Sequence, residues 1–175
     1  MTEKLIPTLI LALLCVLIFW AMWAGWTRRK ARQAGVGQLP EVPASYEDAE
    51  SLLAVPGIYI ATTVMGDWLD RIATHTLGVK ATGTFFVFED GLIIARDGAQ
   101  DLWIPQNDII AVRTESGMSG KFVEKDGLLV VSWNLNGHPV DTGFRTQYAA
   151  DKKSLTQALA LIAPHAGTSL PATQP

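Results

Sequence analysis

The sequence predicts an N-terminal transmembrane α-helix followed by one α+β, mainly β domain: a seven-stranded antiparallel bent sheet, or partly open barrel, capped by a C-terminal helix. Three observations carry that fold class. Leu5 to Trp26 holds no charge and, at about 1.5 Å of rise per residue, is long enough to cross a hydrocarbon core of roughly 30 Å. After Gly57 come short runs rich in β-branched and aromatic residues, separated by turn residues at fairly regular intervals. Near the end of the chain the apolar period switches to that of a helix.

A cleaved secretory signal is the competing reading of the first segment. Its apolar core is usually about 7 to 15 residues and precedes a small-residue cleavage site. This run is longer and ends in Trp20, Trp23 and Trp26, which suit the headgroup region. Arg28, Arg29, Lys30 and Arg32 follow at once, on the aqueous side of that interface. The other flank offers only Lys4 and the α-amino group, partly offset by Glu3. The positive-inside rule therefore places the N-terminus outside and the C-terminal domain in the cytoplasm, on a single-pass protein of the cell membrane. Pro7 falls in the first turn, where its missing amide has no helical partner to lose. Cys15 is the only cysteine, so no disulfide forms within one chain, and a buried membrane thiol is the simple reading.

Hydrophobic residues make up 49% of the chain, and the excess sits in that one segment. What remains has the size at which a single core forms without disulfides or metals. From residue 33 onward nine basic residues stand against sixteen acidic ones, a net of −7. Such a domain is repelled by nucleic acid and by anionic lipid, while the positive charge is gathered at the membrane surface.

In chain order the expected parts are a tail over residues 1–4, the helix over 5–26, a juxtamembrane linker over 27–44, the domain over 45–164 and a disordered tail over 165–175. Ala31 to Pro43 is small, polar and rich in Gly and Pro, the composition of a tether. Ser45, with Asp48 and the stripe Ala49, Leu52 and Leu53, predicts a short leading helix stopped by Pro56. Strands are expected at Ile58–Val64, Thr82–Glu89, Leu92–Arg96, Leu102–Ile104, Ile109–Thr114, Gly127–Trp133 and Val140–Phe144. Asp90-Gly91 reads as a tight type I′ hairpin turn, whose central residues need positive φ. Leu155, Ala158, Leu159 and Ile162 recur at helical spacing from Asp151 or Ser154 to Ala163, with Ser154 and Gln157 as a capping box and Pro164 as the stop. Trp103 and Trp133 fall in strands and read as core or rim residues, and the Gly127–Trp133 strand needs neighbours on both sides or a cover.

Seven short strands and one closing helix is the order of the pleckstrin-homology superfold. The wording also resembles a family: Gly57-Ile58-Tyr59 with Thr62-Thr63, Trp68-Leu69-Asp70-Arg71-Ile72, Ile104-Pro105, Gly120-Lys121, Gly127-Leu128-Leu129-Val130-Val131 and Asp141-Thr142-Gly143-Phe144-Arg145. Together these look like bacterial PH-like domain proteins with one N-terminal membrane helix, found in actinobacteria and often labelled transporter or export proteins. The resemblance runs from the anchor to Pro164 and implies the fold and topology, with no settled activity.

Few residue patterns speak for chemistry. Val140-Asp141-Thr142-Gly143 is similar to the aspartic-protease motif, which needs two carboxylates sharing a proton. One copy is present, so only a symmetric dimer completes such a site, and the simpler reading is a strand whose Asp141 and Thr142 satisfy nearby groups. Gly117-Met118-Ser119-Gly120-Lys121 looks like a phosphate loop, but Phe122 replaces the Ser or Thr and β structure follows, so an inter-strand loop is expected. His75, His138 and His165 lie at no metal-ligand spacing, and no nucleophile elbow occurs; neither a metal nor a cofactor is expected. The loop Met65 to Leu77 offers only Arg71 beside Asp67 and Asp70, which removes the electrostatic basis of a phosphoinositide site. Trp68 in that polar loop is a binding anchor or a ring folded onto the core.

The function expected is a membrane-anchored, non-enzymatic adaptor or scaffold that binds another protein, with Trp68, Asp70 and Arg71 as contact residues. Trp20, Trp23, Trp26, Arg28, Arg29, Lys30 and Arg32 are the membrane-interface residues. Three alternatives stand beside it: a phospholipid-sensing module, an accessory subunit of a transporter, and a dimeric aspartic protease.

Overall fold

The computed structural model describes residues 11–25, 37–46, 49–124 and 126–163, with the backbone alone for Lys121 and Phe122. The chain divides into two units, Met1–Gly35 and Val36–Pro175. In the first, residues 11–25 are helical (α1). Its large apolar side chains, from Leu11 to Trp23, are all more than half exposed. Among the described residues no helix is long and apolar enough to cross a membrane. The described stretch of α1 reaches only about 22 Å at 1.5 Å per residue. The expected span of 5–26 is thus seen over 11–25 alone; residues 5–10 and 26, like Arg28, Arg29, Lys30 and Arg32, lie outside the described ones.

The second unit is built on strands β1 (Leu53–Val64), β2 (Asp67–Arg71), β3 (Ala81–Phe88), β4 (Gly91–Arg96), β5 (Leu102–Pro105), β6 (Ile109–Glu115), β7 (Gly117–Met118), β8 (Lys121–Phe122), β9 (Leu128–Leu135) and β10 (His138–Thr146), followed by helix α2 (Ala149–Ile162). The main sheet runs β5-β4-β3-β1-β10-β9-β6, antiparallel throughout and open, with β5 and β6 at its edges. Those seven strands are the seven the sequence predicts. Two features are additional: β2, which pairs with the end of β1, and the β7–β8 hairpin.

β1 organises the sheet. Residues Leu53–Tyr59 pair with β3, Thr63 and Val64 with β2, and Gly57–Val64 with β10. β1 begins at Leu53, and among the described residues ahead of it there is a 3-10 turn, Ala44–Tyr46, in place of the expected leading helix. Pro56 does not stop an element but sits inside β1. A residue's N–H and C=O point to the same side of a strand, and the Pro56 carbonyl accepts from Gln147 N at 2.9 Å, beyond the end of β10. The missing amide therefore faces a place where the ladder has run out, the setting in which a strand tolerates proline.

Three other expectations are corrected. Residues 37–46 are not a tether standing off the domain: Leu39 is 4% exposed in the main core, and Val42 and Tyr46 pack on Phe88, Ile93 and Trp103. Spaced apolar side chains in an extended segment supply that packing without any helical periodicity. The helix starts at Ala149, capped by the backbone of Tyr148 with no side-chain hydrogen bond, so Ser154 lies within α2 and the capping box is not formed. The hairpin between β3 and β4 turns at Glu89 and Asp90, neither of which has positive φ. Gly91 is needed for space instead: a Cβ there would meet the Trp103 ring at 2.5 Å and the Ile104 carbonyl at 2.6 Å.

The main core fills one face of the sheet and is closed by Leu155, Leu159 and Ile162, which lie one and two turns apart along α2. The outer face carries two satellites. Met118 of the β7–β8 hairpin covers Ile60, Ala61, Leu128 and Val130, and the 37–46 segment covers Phe88, Ile93 and Trp103.

Within the main core runs a chain of buried hydroxyls with one possible sense. The Tyr59 phenol donates to the Leu77 carbonyl at 2.7 Å, so it accepts from Thr62 Oγ1 at 2.7 Å. Thr62 then accepts from Thr142 Oγ1 at 2.9 Å, which in turn accepts from Trp133 Nε1 at 2.8 Å. Each hydroxyl donates once and accepts once. The chain joins β9, β10 and β1 to the loop between β2 and β3, whose Leu77 carbonyl also accepts from Thr62 N at 2.7 Å. Buried Arg96 stacks on the Tyr59 ring at 4.9 Å and donates to the carbonyls of Gln100, Thr76 and His75.

Thr142→Val keeps the shape of the relay but leaves the Trp133 N–H without its acceptor and the Thr62 hydroxyl with its donation to Tyr59 alone. It is expected to cost about 1–3 kcal/mol in urea unfolding, against well under half of that for Thr156→Val on the exposed face of α2, where the hydroxyl donates to Lys152 O. Burial pushes the Tyr59 phenol up to about 12, against the opposing pull of Thr62 and Arg96. Between pH about 10 and about 12 the unfolded phenol loses its proton and the folded one keeps it. Stability therefore falls with rising pH, by at most about 1.4 kcal/mol per pH unit from this group. Tyr59→Phe should flatten that alkaline limb of the unfolding midpoint.

Candidate functional site

The sequence residues singled out for binding meet at one end of the sheet. β1 turns at Met65 and Gly66, the latter at φ +81, and returns as β2 with a register shift between Thr63 and Val64. Asp67 Oδ1 accepts from the amides of Leu69 and Asp70 at 3.1 Å each, which fixes the start of the strand. Trp68 is 40% exposed and Leu69 57%, with Val64 beside them at 38%. The carbonyl of Trp68 accepts from Ser119 N at 2.8 Å, and Arg71 Nη2 donates to the Ser119 carbonyl. Trp68 is thus an exposed ring on a braced strand, Asp70 is half-buried, and Arg71 spends its guanidinium on the β7–β8 turn. Met65 N donates to Pro139 O at 3.1 Å, so the β9–β10 turn lies alongside.

The chain enters the domain at this same end. His75 Nε2 donates to the Gly37 carbonyl at 2.7 Å, and Asn136 Nδ2 donates to the Gln38 carbonyl at 2.7 Å. Both anchors sit at positions of positive φ, His75 at 52° and Asn136 at 51°.

Beneath the hairpin end lies a buried polar cluster. The Asp141 carboxylate, 4% exposed, takes Arg113 Nη2 at 2.8 Å and Nη1 at 3.2 Å, Ser132 Oγ at 2.6 Å and Gly66 N at 3.3 Å. Arg113 also donates from Nε to Glu115 at 2.9 Å. Burial works against the Arg113 charge, and the hydrogen bonds and charge of Asp141, then of Glu115, outweigh it and hold the guanidinium above its ordinary value. The motif similar to that of aspartic proteases is therefore occupied: Asp141 faces a cation, and Thr142 belongs to the hydroxyl relay. Among the described residues the hydrogen-bond partners of the Asp141 carboxylate are Arg113, Ser132 and the Gly66 amide, not a second carboxylate. The segment similar to a phosphate loop is the β7–β8 hairpin, turning at Ser119 (φ 60) and Gly120 (φ 75) with no helix behind it.

At the opposite end, Ser45, Tyr46, Glu50, Phe88, Glu89 and Asp90 line a shallow open recess. Desolvation first, then the hydrogen bond to Asp90 and its charge, push the Tyr46 phenol up to about 12. Among the described residues no group of three potential metal ligands occurs.

A family model for bacterial PH domain-like proteins matches residues 36–160. The chain belongs to that family. The match begins where the chain docks, ahead of the expected domain start at residue 45, and concerns the PH-like domain alone; it carries no label of membrane, source or transport. No curated relative matches the sequence. Solved structures similar to this chain include the 8S snRNP assembly intermediate, with TM-score 0.48 and 10% identity over 78% of this chain and 94% of that one. Another is the C-terminal domain of an unknown protein from Leishmania infantum, with TM-score 0.39 and 16% identity over 65% of this chain and 84% of that one. A third is Vav1 inhibited by an allosteric inhibitor, with TM-score 0.39 and 16% identity over 81% of this chain and 34% of that one.

Asp141→Asn should leave Arg113 short of its buried counter-charge. The expected loss is on the order of 3 kcal/mol by urea unfolding, and Arg113→Met in the same background should recover part of it, because the stranded charge is then gone.

Proposed function

We propose that the chain is a single-pass membrane protein of the cell membrane, N-terminus outside, whose cytoplasmic PH-like domain is a non-catalytic adaptor for another protein. PH-like domains serve in general as binding modules. The anchor is supported by α1, whose apolar side chains are exposed on every side, a surface that suits lipid and not water. Trp20 and Trp23 near its end, and the run Trp26, Arg28, Arg29, Lys30 and Arg32 after it, fit the interface and the cytoplasmic flank.

The observation that carries the adaptor reading is the unpaired edge of β6. Among the described residues no strand pairs on its outer side. The other edge, β5, is only four residues long and ends in Pro105, two of the usual ways to blunt an edge. β6 is seven residues long with neither Pro nor Lys, Ile110 is 37% exposed on it, and its one arginine is turned back to Asp141 and Glu115. An extended segment of a partner adds to such an edge through main-chain hydrogen bonds. Of the sequence candidates, Trp68 remains a contact residue, Asp70 flanks it, and Arg71 acts as a positioning residue through Ser119.

The test is crosslinking and pull-down of the full-length protein from membranes, with Ile110→Lys beside the wild type. One protein recovered with the wild type and reduced at least about tenfold with the variant, whose unfolding midpoint stays unchanged, supports edge recognition. Equal recovery removes the β6 edge, and no enriched protein removes the adaptor.

A further inference from the structure

We propose that the β6 edge has a cover of its own: residues 165–170 of the C-terminal segment add to it as a displaceable strand, and a partner must compete with that strand. The inference deepens the adaptor reading, on which its regulatory half rests, by giving the same edge a resident occupant. Its basis is the course of α2. The helix starts beside the C-terminal end of β6: Lys152 Nζ donates to the Asp126 carbonyl at 2.7 Å, and Thr114 Oγ1 of β6 donates to the Asp126 carboxylate at 3.3 Å. It finishes beside the other end. There Gln106 Nε2, in the 3-10 turn Gln106–Asp108 that leads directly into β6, donates to the Ile162 carbonyl. α2 therefore runs back along β6, and the chain leaves it at Ala163, next to the place where β6 begins.

Residues 164–175 follow in the sequence. At about 3.3 Å per residue they reach about 40 Å, whereas the length of β6 is about 23 Å. A chain that leaves at the start of β6 and follows its edge runs parallel to it. His165 to Leu170 is the stretch between Pro164 and Pro171, so each of its residues keeps the amide that a ladder uses. The edge offers the matching groups: alternate N–H and C=O groups of a strand point away from its one neighbour, and no described strand takes those of β6. The segment has no apolar period, and Thr168 is its one β-branched residue, so it gains order only from an edge it pairs with. Parallel pairing is also the slightly weaker kind. Weak pairing suffices, because the short link to α2 holds the segment at an effective concentration of about millimolar or more. A partner then meets an open edge only for the fraction of time that the cover is off, and its apparent affinity falls by that fraction. An incoming strand of strong β propensity displaces the cover, and one of poor propensity does not. The same cover hides the edge from strands of other proteins.

The experiment uses the full-length chain in detergent and reads backbone hydrogen exchange by mass spectrometry for the wild type and for Thr168→Pro, which removes one amide from the middle of the cover. Peptides spanning β6 should exchange at least about fivefold faster in the variant and those spanning β5 within about 20% of the wild type, at an unchanged unfolding midpoint. Thr168→Ala, which keeps the amide, should behave as the wild type. In the pull-down from membranes, Thr168→Pro should recover the partner at least about threefold better. Unchanged exchange over β6 overturns the cover, whatever the pull-down gives. Protection of β6 that grows when the protein concentration is raised about tenfold gives the edge to a second copy and overturns the cover as well. Faster exchange with equal recovery of the partner overturns the competition. If neither chain enriches any protein, the adaptor reading fails, and exchange alone still decides the cover.

Discussion

The hydroxyl relay from Trp133 through Thr142, Thr62 and Tyr59 to the Leu77 carbonyl is the interaction on which the rest of the structure depends. Four polar side chains in an otherwise apolar core are tolerable only because every proton has an acceptor and the direction is forced by the one carbonyl at the end. That requirement fixes more than local geometry. Thr62 and Thr142 face each other across β1 and β10, and a register slip by one residue would put a neighbour of opposite facing across from each and break the chain. The relay also holds Leu77, and with it the loop whose His75 receives the incoming chain at Gly37. Arg96, on the Tyr59 ring, adds contacts to the Thr76 and His75 carbonyls of the same loop, so one buried network sets the register of the sheet and the place where the chain enters.

The open sheet has apolar side chains on its outer face as well as on its core face, and two local segments cover them. The β7–β8 hairpin lays Met118 where β10 has Gly143; a Cβ at that glycine would lie 2.4 Å from the Met118 sulfur. The 37–46 segment lays Tyr46 against Phe88 and Trp103, with ring centroids 4.6 and 4.8 Å away. Neither cover is an independent element. Both are short, and each is held by a few backbone hydrogen bonds plus one or two apolar side chains. The hairpin cover is joined to β2 through Ser119, so the brace of the exposed Trp68 strand and the lid of the outer face are the same structure.

Much of the fold was legible because strands of alternating or β-branched composition and a helix with Leu155, Leu159 and Ile162 on one face leave a periodic trace. What was missed has physical reasons in particular residues. Leu39, Val42 and Tyr46 are too few for a period, and the surrounding Gly and Pro residues read as a tether although the chain is pinned from Gly37 on. β2 is a five-residue strand with one buried neighbour strand and an exposed pattern, so it reads as loop. Asp90-Gly91 and Asn136-Gly137 look alike in sequence, yet only the second pair has positive φ at both positions; the first glycine answers to the Trp103 ring, a contact made across strands and invisible locally. Ser154 and Gln157 have the spacing of a capping box, but the helix had already begun at Ala149. Of the site, Trp68 was visible as an aromatic in a polar stretch, whereas the commitment of Arg71 to the Ser119 carbonyl, across 48 residues of sequence, was not. The open edge of β6 follows from topology alone.

The distribution of charge ties these features together. The domain is acidic, yet carboxylates near the end where the chain enters it are already engaged. Asp141 is buried under Arg113 and Ser132, and Asp67 turns its carboxylate to the amides of Leu69 and Asp70. Neutralising or capping those carboxylates internally leaves an end whose exposed character is set by Trp68 and Leu69 and not by charge. An apolar contact does not decay with salt as exposed ion pairs do. The end of the sheet that carries the β1–β2 hairpin is therefore held by internal contacts, and its outward surface is the apolar one of Trp68, Leu69 and Val64.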